Sequence, residues 1–304
     1  MPRPLYLSKL AALAKLTRPN NVGLIIVAVI AGAALGLPPL ACPTAGLKQM
    51  FLPLLSSALA LSLVAIGGYS INDLRDRESD KISHPKRPLV NGSFSHPAMV
   101  AIIVTIISWL GALALGWFVA GGEFWIIVGC LVLSFVYALW LKRAGIFGNL
   151  TVALMTSLAL AYGATVIHAL QTILPLIILA FLTNLARELY KDVEDAEGDQ
   201  KLNSRSLPLT IGEKPTRIIG SSIAFTVVPV LLYFYLSGML FWLDALSLVA
   251  GLVIPLLIIA IIGLKKPEKV GKVQRWMKES MFSGLLVLLL GRLIYRVIVS
   301  GQWF

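Results

Sequence analysis

The chain has 304 residues, 58% of them hydrophobic and only 13% charged, with a net charge of +11 and a mean hydropathy of +0.85. A water-soluble domain carries roughly 25% charged residues, so a soluble globular protein is excluded. Apolar runs of about 20 residues recur, the length an α-helix needs to cross a bilayer core of about 30 Å, and the ten-residue alternation of a membrane β-barrel is missing.

The chain therefore reads as an all-α polytopic membrane protein with a single transmembrane domain over residues 1–304. Residues 1–21 set Leu5, Leu7, Leu10, Leu13 and Leu16 among Arg3, Lys9, Lys15 and Arg18, the pattern of an interfacial helix. Nine spans are predicted, at 22–41, 51–71, 98–118, 123–141, 146–168, 172–190, 216–238, 241–263 and 281–299. The first is too long for a signal-peptide core and the second follows at once, so it is read as retained. Helices 1–4 and 5–8 read as two four-helix halves, closed by a ninth helix. An odd count puts the termini on opposite sides.

Basic residues fix the orientation. One side collects Arg3, Lys9, Lys15, Arg18, Arg75, Arg77, Lys81, Lys86, Arg87, Lys142, Arg143, Arg187 and Lys191, then Lys201, Arg205, Lys214, Arg217 and the cluster from Lys265 to Lys278. The other side has Lys48, Arg292 and Arg296. The positive-inside bias makes the basic side cytoplasmic, giving a multi-pass plasma-membrane protein with its N-terminus in and its C-terminus out. Topology and anionic headgroups account for the net charge, and no nucleic-acid partner is expected. Cys42 and Cys130 fall on different spans, and with three histidines the chain has no soft-metal cluster. Asn91-Gly-Ser and Asn149-Leu-Thr fit the glycosylation pattern but map to the cytoplasmic side.

Two long cytoplasmic segments, 72–97 and 191–215, carry the acids as caps on the second and sixth helices. "NDLRDRESD" (72–80) and "KDVEDAEGD" (191–199) share one spacing: Asp73, Asp76 and Asp80 against Asp192, Asp195 and Asp199. Both segments end alike, in Arg87-Pro88-Leu89 and in Arg205-Ser206-Leu207-Pro208-Leu209, which suggests internal duplication with a site at the junction of the halves. If the helices continue through these segments, positions i, i+3 and i+7 form a narrow stripe. Facing carboxylate stripes repel unless cations sit between them. Oxygen-only ligands select a hard ion such as Mg2+, which is commonly shared with substrate phosphate. Arg87 among Pro85 and Pro88, Lys142 and Arg143 after helix 4, and Lys191 are candidates to neutralise a diphosphate. A solvated loop balancing nearby Lys and Arg explains one such segment; the repeated spacing is what argues for a paired role. Glu78, Glu194 and Glu197 belong to the solvated face.

These segments resemble the two signatures of the UbiA-type intramembrane prenyltransferases, "NDLRDRESD" the first and "DAEGD" (195–199) the second. "TRPNN" (17–21), "RPLVNG", "RELYKDVEDAEGD" and "SLPLTIG" extend the likeness over almost the whole chain, especially to the archaeal branch that makes digeranylgeranylglyceryl phosphate. The resemblance implies nine helices around a central cavity whose cytoplasmic mouth binds Mg2+, two ions in all, and an isoprenyl diphosphate. It implies Asn72, Asp76 and Asp80 at the first metal, with Asp73 also matching, and Asp195 and Asp199 at the second; Asp76, Asp80, Asp195 and Asp199 are the catalytic set. Asp192 joins the metal set on spacing alone. Arg87 and Lys142 match basic positions expected on the diphosphate, and Lys191 is added beside them.

The expected reaction transfers a geranylgeranyl group to a lipophilic acceptor, geranylgeranylglyceryl phosphate. Asp80 and the diphosphate itself are both candidates to take the proton. Arg18 and Asn20, ahead of helix 1, are candidate contacts for the acceptor's phosphate, though topogenic charge and helix capping explain them as well. An aromatic acceptor of the quinone-precursor type suits the same bundle. A secondary transporter would place its site near mid-membrane, whereas these acids lie at helix ends. A CDP-alcohol phosphotransferase needs an Asp-x2-Asp-Gly-x2-Ala-Arg run that is absent, and an inert scaffold leaves the paired spacing unexplained. Arg292, near the middle of the last span, is a functional candidate; with Arg296 it can also snorkel toward Trp303 or pair with Asp244. Trp109, Trp140 and Tyr162 read as packing or interface residues.

Overall fold

The computed structural model describes residues 5–38, 43–119, 124–200 and 206–300. Arg3, Cys42, Lys201, Arg205 and Trp303 lie outside the described residues. The helices are α1 (Leu5–Leu16), α2 (Pro19–Gly36), α3 (Pro43–Arg75), α4 (Arg77–Ser83), α5 (Pro97–Val119), α6 (Phe124–Leu139), α7 (Ile146–Thr165) and α8 (Leu174–Gln200). They continue with α9 (Leu207–Ile211), α10 (Glu213–Leu236), α11 (Trp242–Leu248), α12 (Ile254–Lys265) and α13 (Val270–Ser300). Among the described residues all regular structure is helical.

Among the described residues seven helical stretches are long and apolar enough to cross a bilayer: Pro19–Gly36, Met50–Arg75, Pro97–Trp117, Ile146–Thr165, Glu213–Leu236, Trp242–Lys265 and Pro267–Val299. The two remaining predicted spans fall in α6 and α8. α6 has 16 residues, roughly 24 Å at 1.5 Å per residue. α8 has 27 residues, apolar at first and charged from Arg187 onward. The chain divides into two compact units, residues 1–30 with 49–142, and residues 31–48 with 143–304.

In the first unit, α5 is tied to α3 by polar contacts that a lipid setting favours. The Trp109 indole donates to the Val64 carbonyl at 3.2 Å, and the Thr105 hydroxyl donates to that of Gly67 at 3.2 Å. The outward side of α5 is bare, with Ile107, Leu110 and Trp117 at 66, 62 and 71% exposure, as a lipid-facing surface requires. Leu16, at the end of α1, is buried with Leu89 and Ala101, so this helix is anchored onto the unit as well as being suited to an interface.

In the second unit, α8 packs against α7, α10 and α13. Tyr190 is fully buried, and its hydroxyl shares a 2.5 Å hydrogen bond with that of Ser221 on α10. That bond sets the rotation of α8 just before its acidic end. A one-turn π-helix (Val249–Val253) separates α11 from α12. There Gly251 lies so close to α13 that a Cβ would stand 3.0 Å from the Cα of Gly284, a crossing only small residues permit. The Ser283 hydroxyl donates to the Gly251 carbonyl at 2.6 Å across it.

Arg292 takes the pairing considered for it. Its Nε and Nη2 donate to the two carboxylate oxygens of Asp244 at 2.8 and 2.5 Å, and its Nη1 donates to the carbonyls of Leu35 and Leu37 at 2.6 and 3.0 Å. Both side chains are buried. Arg296 donates to the Pro38 carbonyl at 3.4 Å. Replacing Arg292 by Leu strands the Asp244 charge and is expected to cost about 3–5 kcal/mol. A lowered thermal midpoint in detergent, largely recovered when Asp244→Leu is added, checks this.

Candidate active site

The first acidic segment is almost one helix. α3 ends at Arg75 and α4 begins at Arg77, with Asp76 between them at φ −86° and ψ 0°. The backbone still bonds helically across the break, Asp76 N–H to Asn72 carbonyl at 2.9 Å and Asp80 N–H to Asp76 carbonyl at 2.8 Å. The predicted stripe therefore survives a one-residue kink, and Asp73, Asp76 and Asp80 all point inward, at 3, 9 and 3% exposure.

Three carboxylates cannot be buried together without compensation. The compensation is basic. Arg18 pairs with Asp73. Arg87 Nη1 donates to Asp80 at 2.6 Å and lies 3.3 Å from Asp73. Lys142, in the 3₁₀ turn Leu141–Arg143 after α6, pairs with Asp76. Asn72 Nδ2 also donates to Asp76, at 3.1 Å.

Local structure aims each cation. Arg18 sits between α1 and α2 at φ 51°, a left-handed conformation that is uncommon for a side-chain-bearing residue. Its guanidinium lies 4.8 Å from the centroid of the Tyr69 ring, one helical turn before Asp73. Arg87 is carried on a turn in which its N–H donates to His84 and its carbonyl accepts from Val90 and Asn91. Asn20 is exposed.

The second stripe lies on α8, which runs unbroken through Gln200. Asp192 is half-buried and accepts 2.8 Å from Asn149 Nδ2 on α7; Asp195 is exposed and Asp199 half-buried. One turn before Asp192, Glu188 is buried, paired with Arg187 and 3.9 Å from Lys191 Nζ. Burial pushes the Asp192 carboxyl up to about 7; Glu188 and Asp199 add to the rise, while the Asn149 hydrogen bond and Lys191 oppose it.

The structure thus adds three things to the sequence reading. Asn149 is a hydrogen-bond partner of the second stripe. Glu188, four residues before Asp192, lengthens that stripe by one turn, a signal already present in the spacing. Arg87 and Lys142, two of the basic residues expected on a diphosphate, hold the first set of acids together with Arg18, whereas Lys191 lies near Glu188.

Oxygen donors alone suit a hard cation. The Asn72 side-chain oxygen is buried without a hydrogen-bond partner among the described residues, so one ligand of the expected type is unengaged. In the placement seen, no three acidic, His or Cys side chains among the described residues stand together as a ready cation site. The donor chemistry fits Mg2+; the ion pairs must open for it to enter.

Residues 22–286 match the UbiA prenyltransferase family. The chain belongs to this family and is a multi-pass membrane protein. Among its relatives are digeranylgeranylglyceryl phosphate synthases of several organisms. That of Pyrococcus horikoshii is 36% identical over 240 residues, covering 76% of this chain and 81% of the relative. That of Saccharolobus solfataricus is 34% identical over 254 residues, covering 79% and 85%. The fold is shared with a solved digeranylgeranylglyceryl phosphate synthase (TM-score 0.74, 24% identity, 94% of this chain and 99% of the other). It is shared too with a UbiA homologue from Archaeoglobus fulgidus bound to DMAPP and Mg2+ (TM-score 0.67, 18% identity, 91% and 98%).

A pH dependence follows from Asp192. The folded protein holds this proton to about 7, whereas the unfolded carboxyl releases it near 3.8. The associated stability is fully present below the unfolded value and is lost as pH rises through about 7. In metal-free protein, the thermal midpoint of wild type relative to Asp192→Asn is expected to fall across that range. A constant difference would contradict the assignment.

Proposed function

We propose that the protein transfers a geranylgeranyl group from its diphosphate to the free hydroxyl of geranylgeranylglyceryl phosphate, releasing diphosphate, in the assembly of ether lipids. The observation that carries this reading is the first acidic cluster, in which three buried carboxylates are gathered with three basic side chains beside an unengaged amide oxygen. Glyceryl phosphate synthases among the relatives support the acceptor, and the homologue holding DMAPP with Mg2+ supports the donor class.

In this reading the chain crosses the membrane nine times around a central cavity. Both acidic segments lie on the cytoplasmic side, with the N-terminus in and the C-terminus out. Asn72, Asp73, Asp76 and Asp80 hold one metal ion, and Asp192, Asp195 and Asp199 hold a second. Bound Mg2+ supplies Lewis-acid stabilisation of the departing diphosphate. Arg87, Lys142 and Lys191 take the diphosphate's remaining negative charge and orient it. As the allylic C–O bond breaks, apolar helix walls keep the prenyl cation from water until the acceptor hydroxyl captures it. Arg18 and Asn20, at the head of α2, contact the acceptor's phosphate. The proton goes to Asp80 or leaves with the diphosphate.

Asp76→Ala and Asp195→Ala are each expected to lower turnover at least about a hundredfold without loss of the folded bundle, as removal of a charge-stabilising group does. Normal rates in both would remove the metal assignment. Chelation of divalent ions should stop the reaction, and Mg2+ should restore it. Labelled geranylgeranyl diphosphate offered in detergent together with geranylgeranylglyceryl phosphate and 4-hydroxybenzoate should label the glyceryl phosphate lipid. Labelling of 4-hydroxybenzoate instead makes the protein an aromatic prenyltransferase, and no product with any prenyl donor favours transport.

A further inference from the structure

Asp73, Asp76 and Asp80 bring three negative charges to the first cluster, and Arg18, Arg87 and Lys142 bring three positive ones. Counted over these six described side chains, the charges balance. Its two layers differ in freedom. The carboxylates are nearly enclosed, with side chains 4, 11 and 5% exposed, whereas the cations that cover them are 31, 31 and 35% exposed. The acids form a fixed floor on the α3–α4 helical segment. The cations are long side chains reaching in from three other places in the chain, and they form the more exposed layer.

This balance changes what can bind. A divalent cation arriving alone meets no net negative charge, and by taking the carboxylates it strands three cations beside itself. A diphosphate arriving alone finds those cations already partnered. Arriving together, the two would exchange partners with the cluster: the carboxylates and the Asn72 oxygen would hold the metal, Arg87 and Lys142 would turn to the diphosphate, and Arg18 would be released. Each ligand removes the obstacle to the other, which is a coupling free energy between them and is reciprocal.

We infer that Arg18, Arg87 and Lys142 are an exchangeable counter-ion layer that keeps the first metal site closed until a diphosphate accepts the charge of Arg87 and Lys142, so that metal and diphosphate load cooperatively. The inference rests on the reading of this cluster as a metal–diphosphate site and adds an order to its filling. It gives Arg87 and Lys142 two successive partners, carboxylate and then diphosphate. Released from Asp73, Arg18 becomes available for a second anion at the same moment, which ties acceptor capture to donor loading.

The test uses the full chain in detergent with Asp195→Asn, so that metal at the second segment does not contribute. Binding of Mn2+ alone is followed by loss of its free electron-spin signal, and retention of labelled pyrophosphate is followed at saturating Mg2+. Arg87→Gln removes one positive charge from the closed cluster, so Mn2+ alone should bind about tenfold more tightly, while pyrophosphate should be held about tenfold more weakly. Lys142→Gln should repeat the pattern, and Arg87→Lys, which keeps the charge, should leave Mn2+ binding near that of the parent. Opposite shifts in the two affinities are not what a folding defect produces. Unchanged or weaker binding of Mn2+ alone in Arg87→Gln and Lys142→Gln overturns the inference. Failure of the intact chain to transfer any prenyl group overturns the functional reading instead, and the two failures are separable because the binding measurements need no turnover.

Discussion

Burying charge at the end of an apolar helix is the constraint around which the first unit is organised. Asp73, Asp76 and Asp80 leave the α3–α4 segment on its inward side, where an uncompensated carboxylate would cost far more than the unit could repay. The chain brings Arg18 from the α1–α2 joint, Arg87 from a proline-flanked turn and Lys142 from the end of α6 to the same place. The left-handed backbone of Arg18, its stacking on Tyr69 and the turn that carries Arg87 all serve that convergence. The same arrangement readies the cluster for a metal and a diphosphate, because the groups that neutralise the acids are the groups a diphosphate would recruit.

The second unit meets the problem differently. Asp192 is compensated by one amide, from Asn149, and Glu188 by its neighbour Arg187, while Asp195 stays exposed to solvent. The two acidic segments share a spacing but not an environment: one is neutralised by side chains of opposite charge, and the other is left with a carboxyl that burial drives toward its protonated form. Farther along the same unit, Arg292 and Asp244 satisfy each other while Arg292 also caps carbonyls at the end of α2. The charge in the last span thereby acquires a structural role.

Hydropathy located the helices well where lipid dictates composition and poorly where it does not. α8 continues to Gln200 and α13 begins at Val270, beyond the predicted limits of 190 and 281, because the polar extensions of a helix leave no trace in an apolar count. The π-turn at Val249–Val253 is likewise silent in the sequence, since every residue in it is apolar or glycine, and it lies where α13 passes closely. Glu188 was legible from the spacing of Asp192, as the preceding position of the same stripe.

By itself the sequence determined the membrane-spanning character, because apolar runs of helical length recur along a chain with only 13% charged residues, and the two carboxylate stripes, because helical periodicity converts a spacing into a face. It also carried the family's signatures. The tertiary structure decided who compensates whom. Arg18 with Asp73, Lys142 with Asp76, Asn149 with Asp192 and Arg292 with Asp244 are separated by 55, 66, 43 and 48 residues. No local rule links partners so far apart, because a buried charge is satisfied by whatever the packing of helices brings within reach, and that packing exists only in three dimensions.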